Sequence, residues 1–416
     1  MVRESAPVPR LLAPRVREAL ADTPVVLIHG PRQSGKTTLA RLVGERRGYR
    51  YVSFDEDAVR AAAQHDPVGF AAELPERAIL DEVQRVPGLF TALKATVDRR
   101  RVPGRFILTG SANVLLIPAL ADSLAGRMGI LRLHPFAQCE MAGKDSRFLD
   151  TLFAGSFRTR MSERLGVALA ERIVAGGYPA ALARRTAARR AAWYRDYVET
   201  QIQRDVRDLA RIRSLDTLPR LLAAAASHTA RLLNVSELAG PFHLTRQTIH
   251  DHVTLLERLF LLERLPPWHS NRLSRLVKTP KLHMGDTGVA CALLGIDAAG
   301  LYREREILGP MLETFVLQEL KRQASWRDEP LAFFHFRDRD NFEVDIVIER
   351  GAGSVAGIEV KAAATVTEGD FRGLRKLREA AGRRFAHGVV LYDGDASIDF
   401  GEGFHAVPLR ALWELK

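Results

Sequence analysis

Nine consecutive residues, Gly30-Pro31-Arg32-Gln33-Ser34-Gly35-Lys36-Thr37-Thr38, have the types and the spacing to hold a polyphosphate. Four residues separate Gly30 from the Gly35-Lys36-Thr37 triplet, which is the spacing of a P-loop. Glycines let successive backbone N–H groups turn inward around phosphate oxygens, and the start of a following helix adds its positive dipole end. Lys36 reaches the outer phosphates, and Thr37 offers a hydroxyl to Mg²⁺. Gly30, Arg32, Gln33, Ser34, Gly35, Lys36, Thr37 and Thr38 are therefore the expected ATP-binding residues, with Mg²⁺ as the accompanying ion. The β-branched run Val25-Val26-Leu27-Ile28 before the loop and the amphipathic stretch from Leu39 to Arg46 after it supply the strand and helix that this chemistry needs.

A second strand is expected at Tyr51-Val52-Ser53-Phe54 and a third at Ala78-Ile79-Leu80-Asp81-Glu82, the latter a Walker B pattern. Asp81 at the end of a buried strand would hold the Mg²⁺ water shell, and Glu82 would orient the attacking water as general base. A fourth strand, Arg105-Phe106-Ile107-Leu108, is expected between the P-loop and Walker B strands. It would bring a polar residue, Ser111 or Asn113, beside the γ-phosphate; an ordinary polar turn is the other reading. Arg127, in Ser123-Leu124-Ala125-Gly126-Arg127, could complete the active site of a neighbouring subunit or be a surface arginine. With a fifth strand at Ile130 to Leu133, the alternation gives an open parallel α/β sheet of the P-loop NTPase (ASCE/AAA-like) kind over residues 1–155.

Residues 156–212 read as a helical lid or linker, broken by the turn Gly176-Gly177-Tyr178-Pro179. Trp193, Tyr197, Ile202, Val206 and Leu209 form an inward stripe, and Arg204 and Arg207 either approach nucleotide or lie on an outer face. Residues 213–280 carry three helical segments, Thr217 to His228, Asn234 to Gly240 and one opening at Thr245, followed by Leu261 to Leu265 as a wing strand. That is the pattern of a winged helix-turn-helix, in which Arg246, Gln247 and His250 would reach a groove edge or phosphates of DNA. Such domains also serve as protein-contact modules.

Residues 281–416 open with an expected strand, Lys281 to Asp286, and bring a third set of chemical groups. Glu313 lies on a helix, and the strands Phe342–Ile348 and Gly357–Lys361 carry Asp345 and the triplet Glu359-Val360-Lys361. Helix acid, strand acid and Glu-x-Lys in this order form the constellation of the PD-(D/E)xK nucleases. There Asp345 and Glu359 would be metal ligands, and Lys361 would position water and steady the developing charge. Val344 stands where the usual proline would be, and Glu-x-Lys is also the pattern of an ion-paired outer strand face.

At 416 residues, 46% of them hydrophobic, the chain has material for several cores. The net charge of +11 suits a polyanionic partner, although a coding bias toward arginine and alanine would produce it too. Cys139 and Cys291 have neither metal-ligand nor disulfide spacing, which fits a reducing cytosol. Met1 to Thr23 lacks a secretory apolar core and no stretch approaches eighteen apolar residues, so a cytoplasmic protein without a membrane span is expected.

With these residues in view, the chain resembles a widespread bacterial and archaeal family that joins an AAA-type ATPase domain to a C-terminal domain of unassigned function with a restriction-endonuclease-like end. The matching pieces are Gly30 to Thr38, Leu80-Asp81-Glu82-Val83-Gln84, Leu108-Thr109-Gly110-Ser111, Leu124-Ala125-Gly126-Arg127, Gly176-Gly177-Tyr178-Pro179, Asp286-Thr287-Gly288, and Glu343-Val344-Asp345 with Glu359-Val360-Lys361. Val289 replaces the leucine usual after Asp286-Thr287-Gly288. The resemblance implies ATP hydrolysis and nucleic-acid transactions but names no substrate. Three functions stay open: a DNA-dependent ATPase, a nucleotide-switched signalling ATPase with protein partners and an inactive nuclease domain, and an ATP-regulated endonuclease. A homo-oligomer is expected if Arg127 acts in trans.

Overall fold

The computed structural model describes residues 8–111, 124–159, 161–209, 217–242, 244–271, 275, 279–351 and 353–415, excepting the side chains of 204–209 and 241. Asn113 and Ser123 lie outside the described residues, as do the side chains of Arg204, Val206, Arg207 and Leu209. The chain divides into two compact units, one running to Phe136 and including 258–260, the other made of Ala137–Glu257 and the residues from Leu261 onward. Residues 137–155, expected in the ATPase core, pack with the second unit. There the Arg147 amide donates to the Leu415 carbonyl (3.0 Å) and the Ser146 hydroxyl to that of Leu412 (2.7 Å).

In the first unit, β1 (Val25–His29), β2 (Arg50–Ser53), β3 (Ala78–Asp81), β4 (Phe106–Gly110) and β5 (Met128–Arg132) form one parallel sheet in the order β2-β3-β4-β1-β5. Every residue of β1, β3 and β4 is buried, which is why these segments read as unbroken apolar runs rather than alternating ones. Leu27, Leu80 and Leu108 pack in one core with Phe54, Leu93 and Val97. β4 lies between β1 and β3, as expected, and the register pairs His29 with Gly110 and Ser53 with Asp81. The carboxyl ends of β1, β3 and β4 therefore share one edge of the sheet.

The second unit holds two sheets. β6 (Arg231–Leu232), β7 (Leu262–Leu265) and β8 (Lys281–Met284) pair antiparallel with β8 in the middle. Their helices are Thr217–Ser227, Val235–Ala239 and Arg246–Arg258. The Thr245 hydroxyl caps the last of these by accepting from the Thr248 amide (3.1 Å). The expected boundary at 280/281 cuts through this sheet: Lys281–Met284, read as the first strand of the nuclease-like domain, is its central strand. Leu282 and Met284 are buried there. The larger sheet, β9 (Leu331–Arg337), β10 (Glu343–Arg350), β11 (Ser354–Lys361), β12 (Phe385–Tyr392), β13 (Ile398–Asp399) and β14 (Phe404–Pro408), runs in the order β13-β14-β12-β11-β10-β9. The helix Arg305–Ala324 contacts β11.

The segment expected as a lid is part of this unit's core. Asp286 joins it to the rest: its carboxylate accepts from the amides of Gly177 (2.9 Å) and Gly288 (2.9 Å) and pairs with Arg322 (2.9 Å). Gly176, at φ +63°, and Gly288 leave no space for a side chain, since an added Cβ would lie 2.2 Å from Asp286 Oδ1 and 2.6 Å from the Tyr194 ring respectively. The motifs Gly176-Gly177-Tyr178-Pro179 and Asp286-Thr287-Gly288 thus form one buried joint. Cys139 and Cys291 are buried free thiols, pushed up to about 12 by burial and nearby carboxylates. Among the described residues no helix is long and apolar enough to cross a membrane.

Candidate functional site

The P-loop starts where β1 ends. Gly30 has φ +150°, and a Cβ there would lie 2.2 Å from the Leu133 carbonyl oxygen, so glycine alone lets the chain leave the strand at this point. Gly35 (φ +94°) then opens the helix Lys36–Gly44. Lys36 is buried, its ammonium donating to the carbonyls of Gly30 (3.1 Å) and Pro31 (2.8 Å). The Ser34 hydroxyl is buried without a protein partner. Arg32 and Thr37 are half-buried, while Gln33 and Thr38 are exposed.

Thr37 reaches across to β3, its hydroxyl 3.0 and 3.1 Å from the two oxygens of Asp81. The same carboxylate accepts from the Thr109 hydroxyl and from Tyr51 (2.7 Å). Burial, then the bond to Asp81, pushes the Tyr51 phenol up to about 12, so it remains a donor. Glu82 follows with φ +59°, a conformation uncommon outside glycine and asparagine and one that clusters at functional sites. Its carboxylate accepts from Ser111 (2.9 Å) and from the Gln84 amide, which also donates to Ser111 (3.0 Å). Lys36, Thr37, Asp81, Glu82 and Ser111, all singled out by sequence, are thus gathered at one sheet edge.

Arg127 is not brought there. It precedes β5 at the opposite end of the strands, roughly 16 Å away along a five-residue strand. Its guanidinium pairs with Asp98 (2.6 Å).

Three contributors escaped the sequence reading. Tyr51 and Gln84 lie in recognised segments but carry no motif signal of their own. Arg10 lies well upstream, and its guanidinium donates to the carbonyls of Ser34 (2.7 Å) and His134 (2.6 Å), tying the P-loop to the end of β5. One arginine in an arginine-rich chain gives no sequence cue. Because hydrogen bonds from a charged group contribute about 1.5–3 kcal/mol, Arg10→Ala should weaken nucleotide binding about tenfold or more. Titration with a fluorescent ATP analogue checks this, and an unchanged affinity would leave Arg10 without a role in the loop.

In the second unit the expected acids do converge, but lysines lie among them. Lys281 from β8 sets its ammonium 2.8 Å from Glu313 Oε1 and 3.3 Å from Asp345 Oδ1. The other Asp345 oxygen accepts from the Val360 amide (2.9 Å), and Glu359 pairs with Lys361 (2.9 Å). Burial, then the charge of Asp345, pushes Glu359 up to about 8 and raises Glu313 well above the usual carboxylate range. Burial alone would lower Lys281, but Glu313 and Asp345 outweigh it and keep the ammonium charged. Among the described residues no cluster of three or more His, Cys, Asp or Glu is arranged to hold a metal ion. Asp345 and Glu359, expected as metal ligands, are brought together here with Glu313, and each is paired with an ammonium group, Lys281 and Lys361 respectively. Arg246, Gln247 and His250 are exposed on the first turns of the helix Arg246–Arg258, with Gln247 donating to Asp251 (2.9 Å).

Residues 22–142 match the model of a family described as an AAA domain, and residues 167–300 and 308–412 match two described as domains of unknown function. An uncharacterized protein of Mycobacterium tuberculosis and one of Mycobacterium bovis are each 30% identical over 399 residues, which is 95% of this chain and 82% of theirs. The chain is a member of this AAA-type P-loop ATPase family. The Walker-type ATPase of Pyrococcus abyssi, a solved structure, is 16% identical with a TM-score of 0.43, over 68% of this chain and 94% of its own. Within the family frame, one domain (167–300) spans most of the expected lid together with the winged-helix segment, and extends past 280 to include Lys281. The AAA domain contains the whole constellation from Gly30 to Arg127.

Proposed function

We propose that the protein hydrolyses ATP with Mg²⁺ and couples turnover to engagement of DNA. The observation that carries the reading is the convergence of Lys36, Thr37, Asp81, Glu82 and Ser111 at the carboxyl edge of one parallel sheet. The buried, unpartnered Ser34 hydroxyl and the glycine conformations of the loop suit a phosphate ligand. Lys36 and the loop amides would hold the phosphates of ATP, and Thr37 with Asp81 would hold Mg²⁺; bound in this way, Mg–ATP supplies a γ-phosphoryl group open to water. Tyr51 and Thr109 fix the Asp81 carboxylate, and Glu82, oriented by Ser111 and Gln84, takes the proton of the attacking water.

DNA engagement is supported by the order helix, β6, helix, helix, β7, β8, which is that of a winged helix, and by the exposure of Arg246, Gln247 and His250 on its third helix. The net charge of +11 favours the same partner. Steady-state ATP hydrolysis measured with and without linear, single-stranded and four-way-junction DNA, with Glu82→Gln as the blank, tests this. Severalfold stimulation by one of these is expected, reduced in Arg246→Ala/His250→Ala and weakened by added salt. Rates indifferent to every DNA would sink the coupling. The second reading would then stand: a nucleotide-switched ATPase with protein partners, favoured by the ammonium-filled acidic cluster of the second unit.

A further inference from the structure

We propose that the Lys281 ammonium takes the place of the divalent cation in the C-terminal acidic cluster, so that this part of the chain keeps the layout of a metal nuclease while being closed to metal. A divalent-cation site needs carboxylate oxygens whose charge the ion itself neutralises. Here the central position is filled from outside the acidic elements. Lys281 is pinned at the middle of a three-stranded sheet, its backbone opposite Leu232 on one side and Leu265 on the other. Its side chain is 5% exposed and ends between Glu313 of the helix Arg305–Ala324 and Asp345 of β10. Withdrawing it would leave two carboxylates without their cation, so the ammonium does not yield its place easily.

Unsatisfied polar atoms lie in the residues next to this cluster. Glu359 Oε2 is buried without a hydrogen-bond partner. His283, two residues along β8 and fully buried, has an unpartnered Nε2 lying 3.8 Å from Glu313 Oε1. With the ammonium gone, the carboxylates of Glu313 and Asp345 that it now bridges, 2.8 and 3.3 Å from its one nitrogen, would be free to close on an ion such as Mn²⁺. The adjoining cleft, of about 460 Å³, carries Asp340, Glu343 and Asp370 beside Glu359, against Lys361 and Arg372, so acids outnumber cations where a phosphodiester would have to approach. Lys281 also makes this cluster a tie between the three-stranded and six-stranded sheets, a structural role in place of a catalytic one.

The inference stands apart from nucleotide hydrolysis and is tested apart from it, by Mn²⁺ binding to the full-length, nucleotide-free protein followed by electron paramagnetic resonance. In the wild type, Asp345→Asn should leave the number of bound Mn²⁺ ions unchanged. Lys281→Met, which keeps the apolar stem and removes the charge, should gain one Mn²⁺ per chain, and that ion should be lost again in Lys281→Met/Asp345→Asn. A wild-type Mn²⁺ ion that disappears in Asp345→Asn would overturn the proposal. So would a folded Lys281→Met that gains none. The wild-type and Asp345→Asn arms decide the matter even if Lys281→Met does not fold, because an ammonium in the cation's place allows no Asp345-dependent ion.

Discussion

Glu82→Gln is expected to lower kcat for ATP hydrolysis by about 10²–10⁴-fold while leaving nucleotide affinity close to that of the wild type. The isosteric amide preserves volume and still accepts a hydrogen bond from Ser111 (2.9 Å in the wild type) through its carbonyl oxygen, so the strained backbone at φ +59° keeps its anchor. What is lost is the negative charge that takes a proton from water, which matters in the transition state and hardly at all in the bound ground state. By the same reasoning, Asp81 and Lys36 contact the ligand in both states, and their loss would reduce binding as well. Single-turnover kinetics and equilibrium binding of an ATP analogue separate the two effects. A kcat within a factor of about three of the wild type would remove Glu82 from the chemistry, since a positioned general base contributes far more.

The second large effect is on stability. Arg322→Met should destabilise the second unit by about 3–5 kcal/mol, the cost of leaving buried carboxylates without their cation. Arg322 is buried and divides its guanidinium between Asp286 (2.9 Å) and Glu319 (3.0 Å), both buried. Glu319 is already raised by burial and held back by Arg322, so removing the arginine lets it protonate and frees the amide of Gln138, now 2.9 Å from it, from a charged partner. Asp286 would retain only the backbone donors at Gly177, Gly288 and Val289. All four tryptophans, Trp193, Trp268, Trp326 and Trp413, lie in the second unit, so tryptophan fluorescence during urea unfolding reports on that unit alone. With a slope of about 1–3 kcal/mol per M, the midpoint should fall by more than about 1 M. A shift below about 0.3 M would mean that the joint formed by the two glycine-containing motifs is not held by this ion network.

How much of this was legible beforehand depends on how far apart the cooperating residues lie in the chain. The P-loop was readable from nine contiguous residues because its function rests on local backbone geometry: glycines at positive φ, an N-terminal helix end and one lysine. Asp81 and Glu82 were readable because a buried parallel strand shows as an unbroken apolar run whose end is marked by the first polar residues. The helix capped by Thr245 was equally local. Glu313, Asp345 and Glu359 were found in the right order, and they do converge.

The sequence by itself therefore determined the nucleotide-binding loop, the acids at the strand ends and the order of the helices and strands. Only the tertiary structure decided what meets what. Lys281 belongs by sequence to a strand expected in the nuclease-like part, but its pairing with Leu232 and Leu265 places it in another sheet and sends its ammonium among the acids. Arg127 lies in a recognised motif, but the parallel register carries it to the strand end away from Lys36. Arg10 and Tyr51 act on residues far along the chain, at Ser34 and Asp81. The physical reason is the same in each case. Side-chain periodicity and backbone preference are written locally, whereas long-range meeting points are set by strand register, where a shift of one residue turns every side chain to the opposite face.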